Sequence, residues 1–316
     1  MQVEIDYETI CVNCKEKGYS FGYTLKKISY QKQLVLDLPQ PYLNGPCLAF
    51  NYCSVPILIR SLENSHALNN PSKQPIFAMI NAKHNKNSTL SRFTYRYIMN
   101  FHPEIQKITP NDTELLAYII EYVDVYRFIS KPYILFFYSF RNVTPNPLKD
   151  INFYQFYDFD IYGQDYYDSD RVDYDSTTGA IFQYDSRFPL EKGLIAGIVS
   201  VKDRIPTHFE GNTPESILIS PERLKLRDFL HPHSTDLSIG LQWSIPSLGP
   251  NHVEIFPVAL VFGQGLADFQ QNVNQAQNEL DKLLQSVSKA IEIPSRQQID
   301  QKLEKMSFSM TEWCKD

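Results

Sequence analysis

The chain has 316 residues and a net charge of −6, with 43% hydrophobic and 21% charged residues. Because it is acidic and has no cluster of Lys and Arg, it offers no electrostatic surface for a nucleic-acid backbone. The N-terminus lacks the basic start and apolar core of a secretory signal, and the longest apolar stretch, residues 133–140, is too short to cross a bilayer. We therefore expect a cytoplasmic protein that binds neither nucleic acid nor a membrane.

The first half of the chain contains a candidate zinc-binding set of cysteines. The total of five cysteines is odd, which suits a reducing compartment better than a disulfide framework. Cys11, Cys14, Cys47 and Cys53 could supply four thiolates, although the spacing of the second pair does not match a zinc knuckle. We predict no cofactor and no metal, and whether these four cysteines bind zinc stays open.

Most of the chain is predicted to form short strands. The 20 Tyr and 20 Phe against 12 Gly favour strands over helices. Segments of strand-like alternation are separated by Pro, Gly, Asn and Asp, and they cover residues 33–38, 47–52, 76–82, 90–99, 115–123, 133–142, 152–161, 180–184, 194–201, 238–245 and 252–261. More than ten such strands predict a mainly β fold with two large stacked antiparallel sheets.

Two helices are predicted at the C-terminus. The first has an apolar stripe at spacings of three and four, formed by Leu266, Phe269, Val273, Ala276, Leu280, Leu283, Leu284 and Val287. Pro294 ends this helix, and Ser295 with Gln298 forms the capping box of the second. The second helix has its own apolar stripe, which we predict to be a partner interface made of Ile299, Leu303, Met306, Met310 and Trp313. We divide the chain into a β domain, residues 1–265, and a helical extension, residues 266–316.

Residues 151–185 form the most distinctive segment, with a strand, an acid- and tyrosine-rich loop and a return strand. Flat phenol rings suit sugar rings, and carboxylates accept hydrogen bonds from sugar hydroxyls. The predicted carbohydrate-binding residues are Tyr162, Asp165, Tyr166, Tyr167 and Asp168. Because strand residues alternate, we expect about half of the tyrosines from Tyr157 to Tyr167 to point into the core.

The aspartates of this loop allow a second interpretation. Hard carboxylate oxygens are the ligands that calcium prefers, but their spacing matches no EF-hand loop. A solvated acidic hairpin is the favoured interpretation over a calcium site.

The order of features resembles the N-terminal β-supersandwich domain of glycoside hydrolase family 15, the glucoamylase and glucodextranase type, within the galactose-mutarotase-like sandwiches. The likeness is carried by the paired strands 118–126 and 133–142, by FYQFYDFDIYG with the IFQYD return strand, and by strand 253–261 followed by Gly263 and LADF. It covers roughly residues 115–285. It implies a large antiparallel two-sheet supersandwich followed by the two C-terminal helices.

In that family the sandwich precedes an (α/α)6 barrel, which holds both catalytic acids. Here the chain stops soon after Trp313, near where the barrel would begin, so we assign no catalytic residues and favour a role without catalysis. The resemblance implies a carbohydrate-associated or scaffolding module, with an α-glucan, another protein or a second copy of the chain as its partner. Two alternatives stay open: an accessory subunit of a split glucoamylase-like hydrolase, and a mutarotase-like sugar epimerase.

Histidines are the remaining candidates for chemistry. His231 and His233 flank Pro232, and a histidine pair can bind zinc, but no third ligand lies in register with them. An epimerase of the mutarotase type uses a His and a carboxylate for acid–base work. His208 and His252 are further candidates, and the sequence alone does not pair either of them with an acid.

Overall fold

A computed structural model describes residues 3–12, 20–37, 45–52, 55–60, 77–86, 90–99, 119–127, 131–144, 146–217, 219 and 223–290. Within these ranges the chain is mainly β, with strands in three sheets and one long helix. This confirms the predicted fold class. The predicted interface helix, with Ile299, Leu303, Met306, Met310 and Trp313, lies outside the described residues.

The strands form sheets of three, six and eight members. The three-stranded sheet has the order β1-β2-β3: Val3–Val12, Ser20–Tyr30 and Gln33–Asp37. The six-stranded sheet has the order β15-β14-β16-β10-β4-β5: Phe229–Leu230, His208–Asn212, Ser238–Leu248, Leu148–Tyr157, Gly45–Tyr52 and Val55–Arg60. The eight-stranded sheet has the order β11-β12-β13-β17-β9-β8-β7-β6: Asp170–Asp175, Ala180–Asp185, Leu194–Val199, Val253–Gln264, Tyr133–Asn142, Ile119–Arg127, Leu90–Met99 and Phe77–Lys86.

In the described ranges, three helical elements accompany the sheets. A 3-10 helix spans Gln164–Ser169, α1 spans Pro214–Ile217 and α2 spans Leu266–Ala290. The strand pairs are antiparallel apart from the short pairing of β14 with β15, where Glu210 lies opposite Phe229. The predicted antiparallel pattern therefore holds through both large sheets apart from this one pair.

Alternation along β9 explains why the eight-stranded sheet is covered on both faces. Ile134, Phe136, Tyr138 and Phe140 point into a core shared with the six-stranded sheet, while Tyr133, Leu135 and Phe137 point to the opposite face. Residues two apart in a strand share a face, so an unbroken apolar run needs a partner layer on each side. The partner on the second face is α2.

The core between the two large sheets is built around Phe153 of β10. Its ring stacks on Phe256 with centroids 4.4 Å apart, and it also contacts Tyr138, Phe140 and Trp243 at 5.4, 5.6 and 5.7 Å. These aromatic residues come from four strands, β10, β17, β9 and β16. The third sheet, which the sequence analysis did not predict, adds Ile28, Tyr30, Val35 and Leu36 to the same core.

Helix α2 packs through the predicted stripe. Phe269, Val273, Ala276 and Leu280 are buried, with Leu266, Leu283 and Leu284 partly buried beside them. The helix lies close to β17 because Gly263 has no side chain: a Cβ there would lie 2.5 Å from the Phe269 backbone. The Asp268 carboxylate accepts a hydrogen bond from Gln264 N at 2.8 Å, which satisfies a donor at the start of the helix.

Candidate functional site

The loop after β10 is held in a fixed conformation that positions the predicted site residues. Tyr162 and Gly163 have positive φ angles of 68° and 100°. Gly163 is suited to this position because a Cβ would also lie 3.1 Å from Leu34. Tyr162 N donates to Leu34 O at 3.0 Å, and Tyr166 N donates to Gly163 O at 2.9 Å, where the 3-10 helix begins.

The 3-10 helix presents four of the five predicted residues to solvent. Tyr166 and Tyr167 are 41% and 51% exposed, and Asp165 and Asp168 are exposed beside them. Tyr162 differs, because it is half-buried and its hydroxyl accepts a hydrogen bond from Leu194 N at 2.9 Å. The five residues thus lie in one short segment, with Tyr162 as its anchor.

The four tyrosines from Tyr157 to Tyr167 differ in exposure, and of these only Tyr157 lies in a strand. Tyr157 is 0% exposed, and its ring stacks on Phe159 with centroids 5.2 Å apart. Tyr166 and Tyr167 point outward on the helix. The side chains that could meet a ligand are therefore the two that follow the turn at Gly163.

The turn after β12 adds two residues that the sequence analysis did not include. The Arg187 guanidinium lies 4.0 Å above the centroid of the Tyr166 ring, in a cation–π contact. Phe188 is 43% exposed, and its ring lies 4.6 Å from that of Tyr162. We call Tyr162, Tyr166, Tyr167, Arg187 and Phe188 the aromatic patch. In the sequence, Arg187 and Phe188 are marked only by their position shortly after β12.

A buried carboxylate fixes Arg187. Asp185 has a fully buried side chain and accepts from Arg187 Nε at 2.9 and 3.2 Å, and from Arg187 Nη2. Burial alone would raise the pKa of Asp185, but the hydrogen bonds from Arg187 outweigh it and lower the pKa. Asp185 thus holds the Arg187 guanidinium over the Tyr166 ring and neutralises its charge.

A second polar feature joins Asp170 and Gln183, and we call it the Asp170–Gln183 hub after its two residues. Gln183 Nε2 donates to Phe159 O, Leu237 O and Asp170 Oδ2 at 3.2, 2.6 and 3.4 Å, and Gln183 Oε1 accepts from Phe159 N at 3.1 Å. Asp170 is 1% exposed, and its Oδ1 has no hydrogen-bond partner among the described residues. Burial, followed by the charge of Asp158, raises the pKa of Asp170 well above its usual range.

The acidic hairpin is therefore only partly solvated. Asp165, Asp168 and Asp173 are exposed as expected, whereas Asp158 and Asp170 are 4% and 1% exposed. Asp170 is buried because it starts β11 opposite Asp185 and bonds to Gln183, so its backbone belongs to the sheet. In the described part of the chain, no group of three or more His, Cys, Asp or Glu is arranged to hold a metal ion.

A histidine–carboxylate pair lies on the six-stranded sheet. His208 Nδ1 is 2.8 Å from Asp228 Oδ2, and Asp228 Oδ1 accepts from Phe209 N at 3.2 Å. The Phe209 ring stacks on Tyr174 at 3.9 Å, and burial, followed by the Asp228 charge, raises the pKa of Tyr174. If Nδ1 carries the proton that bonds to Asp228, then Nε2 of His208 is a proton acceptor.

Asp228 is positioned by a buried carboxylate one strand away. Glu210 has a fully buried side chain and accepts from Arg223 Nη2, from Arg227 Nε at 2.9 Å, from Arg227 N at 3.0 Å and from Asn212 Nδ2 at 3.0 Å. Because Asp228 directly follows Arg227, these bonds fix the segment that faces His208.

The other candidate ligands form no group of three or more that could hold a metal ion in the described part of the chain. His231 Nδ1 contacts His233 O at 2.9 Å, as expected of an ordinary loop. Cys47 is buried in β4, whereas Cys14 and Cys53 lie outside the described residues, so the zinc question stays open. None of the helices in the described ranges combines the length and the apolar character needed to cross a membrane.

Comparisons with known proteins found similar solved structures but no match to a family model or a curated protein. Among solved structures, it is similar to a bacterial glucoamylase complexed with acarbose, at 9% identity and a TM-score of 0.48, over 99% of this chain and 40% of that one. It is also similar to a polysaccharide lyase, at 11% identity and a TM-score of 0.39, over 87% and 35% of the two chains. A putative aldose 1-epimerase from Klebsiella pneumoniae matches at 6% identity and a TM-score of 0.28, over 64% and 57%.

The chain spans less than two thirds of the length of each of these proteins, and 40% of the glucoamylase. The identities and TM-scores are too low to transfer an activity or a ligand. The functional assignment therefore depends on the side chains described above.

Proposed function

We propose that this chain is a carbohydrate-associated β-sandwich module that binds a glycan on the aromatic patch. The observation that carries the proposal is the 3-10 helix, where Tyr166 and Tyr167 are both about half exposed between the exposed carboxylates of Asp165 and Asp168. Phenol rings offer flat apolar faces to sugar rings, and carboxylates accept hydrogen bonds from sugar hydroxyls. An α-glucan is the glycan that the resemblance to glycoside hydrolase family 15 favours.

The rigidity of the patch supports a binding role. Ser169 Oγ donates to Tyr166 O at 2.8 Å, and Ser186 N donates to Ser169 O at 2.9 Å. Arg187 covers one face of Tyr166 and is itself held by Asp185. A ligand that binds to fixed aromatic rings loses less affinity to side-chain ordering than one that binds mobile rings.

The proposal assigns binding without turnover to the chain. We place this function in the β domain, residues 1–265. An accessory subunit that works with a catalytic barrel on another chain is compatible with the same patch. Protein partners or a second copy of the chain would use the segment with Leu303, Met306 and Trp313.

The test combines binding and product release in one experiment. The purified chain is titrated with α-linked oligosaccharides while heat and free glucose are both measured. We expect the oligosaccharide to bind and no glucose to be released. Tyr166→Ala and Tyr167→Ala should each weaken binding about tenfold, which is about 1.4 kcal/mol. Phe229→Ala is the matched control, since Phe229 is 40% exposed and lies outside the patch.

The outcomes separate the alternatives. Equal affinity in the tyrosine variants and the wild type would contradict the assignment of the patch. Glucose release by the chain alone would overturn the non-catalytic role, and release only after a barrel chain is added would identify the split enzyme.

A second candidate function, sugar epimerisation, is favoured by the His208–Asp228 pair. When Nδ1 of His208 is hydrogen-bonded to Asp228, Nε2 of His208 could take the proton of an anomeric hydroxyl. Another acid would protonate the ring oxygen of the sugar, and the ring would open. Polarimetry on freshly dissolved α-glucose tests this. If this second function is correct, the purified chain will accelerate mutarotation and His208→Asn will abolish the acceleration. A rate equal to that of buffer would refute this candidate.

A further inference from the structure

The surroundings of Asp170 connect three chain segments and concentrate negative charge. Through Gln183, the hub bonds to the segment after β10 at Phe159 and to the segment before β16 at Leu237. Asp170 O also accepts from Thr235 N at 3.3 Å. Asp170 therefore lies where residues 158–160, the start of β11 and residues 235–237 meet.

Four further carboxyl groups act on Asp170, and their charges each raise its pKa. Asp158 and Asp160 come from the segment after β10, Asp236 from the segment before β16, and Asp185 from β12. Repulsion from these like charges disfavours the ionised form of the Asp170 carboxyl.

The cations and histidines of the surrounding elements are engaged elsewhere. Arg187 bonds to Asp185, Arg171 donates to Pro232 O at 3.3 Å, and the His231 ring contacts His233 O. Among the described residues, no cation is bonded to Asp170, and only one of its oxygens has a hydrogen-bond partner. Ionisation would therefore leave an uncompensated buried charge.

We propose that Asp170 is a proton-dependent latch: its neutral carboxyl keeps the 3-10 helix and residues 235–237 closed on residues 158–160, and its ionisation releases them. The pKa of Asp170 is raised well above its usual range in the closed state, first by burial. In the open state Asp170 is hydrated and titrates near pH 4. The closed state is therefore fully favoured below about pH 4 and is lost as the pH rises through the closed-state pKa.

The latch directly follows the helix of the aromatic patch along the chain. The 3-10 helix ends at Ser169, next to Asp170, and it carries Tyr166 and Tyr167. Opening would disorder the rings, so we expect glycan affinity to be higher in acid than in alkali. This step rests on the proposed glycan-binding function, whereas the latch itself does not.

Hydrogen exchange measured from pH 5 to pH 9 tests the latch. After correction for intrinsic exchange, the opening constant of amides 166–170 and 235–238 is expected to rise about tenfold per pH unit, and to level off above the closed-state pKa. Amides in the centre of β9 should show no such rise. A flat profile at both segments in the wild type would overturn the proposal without any variant.

Two variants sharpen the test. Asp170→Asn keeps the shape and removes the charge, so the pH dependence should vanish and the segments should stay closed at pH 8. Asp165→Asn on the exposed side of the same helix is the matched control and should keep the wild-type slope. A slope that persists in Asp170→Asn would assign the effect to another group and overturn the latch.

Maltoheptaose binding at pH 5 and pH 8 separates the two proposals. A pH-dependent exchange profile without maltoheptaose binding at either pH leaves the latch standing and removes α-glucan as the ligand. Binding that is equal at both pH values in the wild type would refute the regulatory step.

Discussion

Replacing Glu210 by Gln tests how a buried carboxylate organises the segment that carries Asp228. The Glu210 side chain is 0% exposed and accepts from Arg223, Arg227 and Asn212. Gln has nearly the same shape, but only one of its terminal atoms accepts hydrogen bonds, so at least one buried donor loses its partner. The substitution therefore removes charge and pairing without creating a cavity.

The expected loss of unfolding free energy is about 2–4 kcal/mol. The Arg223 and Arg227 side chains are 27% and 50% exposed and can be hydrated, so each ion pair contributes only about 0–1 kcal/mol. The donors on Arg227 N and Asn212 Nδ2 point at the buried carboxylate, and an unsatisfied buried donor costs about 1–3 kcal/mol. The full penalty for breaking a wholly buried pair, about 3–5 kcal/mol, is an upper limit here.

Urea denaturation at pH 7 gives the measurement, with the midpoint expected to fall at an unchanged m value. Glu254→Gln is the matched control because the Glu254–Arg204 pair is 21% and 36% exposed, and we expect it to cost less than about 1 kcal/mol. Equal losses in the two variants would refute the distinction between buried and exposed carboxylates. A normal midpoint for Glu210→Gln would show that the segment around Asp228 is held by other contacts.

Three further perturbations test other contacts of the fold. Phe153→Ala should cost about 3–5 kcal/mol of unfolding free energy in urea, because its ring contacts four aromatic side chains, and a loss below about 1 kcal/mol would contradict that packing. Gly263→Ala should cost about 1–3 kcal/mol by forcing α2 away from β17, which a falling thermal midpoint and faster exchange in α2 would show. Arg187→Ala removes the hydrogen bonds that lower the pKa of Asp185. The stability that these bonds contribute is present above about pH 4 and is lost as the pH falls through the folded-state pKa, so the variant should unfold at a higher pH in an acid titration. Unchanged acid stability would refute this role.

The regular elements could be predicted because their side chains repeat with a fixed period. In β9 apolar residues continue without a polar face, and the structure covers the strand on both sides. In α2 the stripe from Phe269 to Leu280 packs on the same sheet. The short or polar strands β11, β14 and β15 were not predicted, because their pairing depends on neighbours distant in the sequence.

The site was predictable only where its residues are adjacent in sequence. Asp165 to Asp168 are neighbours along the chain and share one helix. The contact of Arg187 with Tyr166 and the pairing of His208 with Asp228 join residues about twenty positions apart. Nothing in residue type or spacing identifies those partners, because they meet only after the strands have paired.

The eight-stranded sheet leaves little room for chemistry on its central strands, because both of its faces are covered. Phe136, Val258 and Ile198 point into the core between the sheets, and α2 covers the outer face of their sheet. The polar features instead lie in strands β11, β12 and β14 and in segments that join strands: residues 158–169, residues 186–188 and residues 223–237. Since Gln183 bonds to the first and the last of these segments, a proton on Asp170 can influence two surfaces at once. We therefore expect pH to change the exposure of the aromatic patch and the geometry of the His208–Asp228 pair together, and hydrogen exchange that responds in only one of the two regions would show that the hub does not couple them.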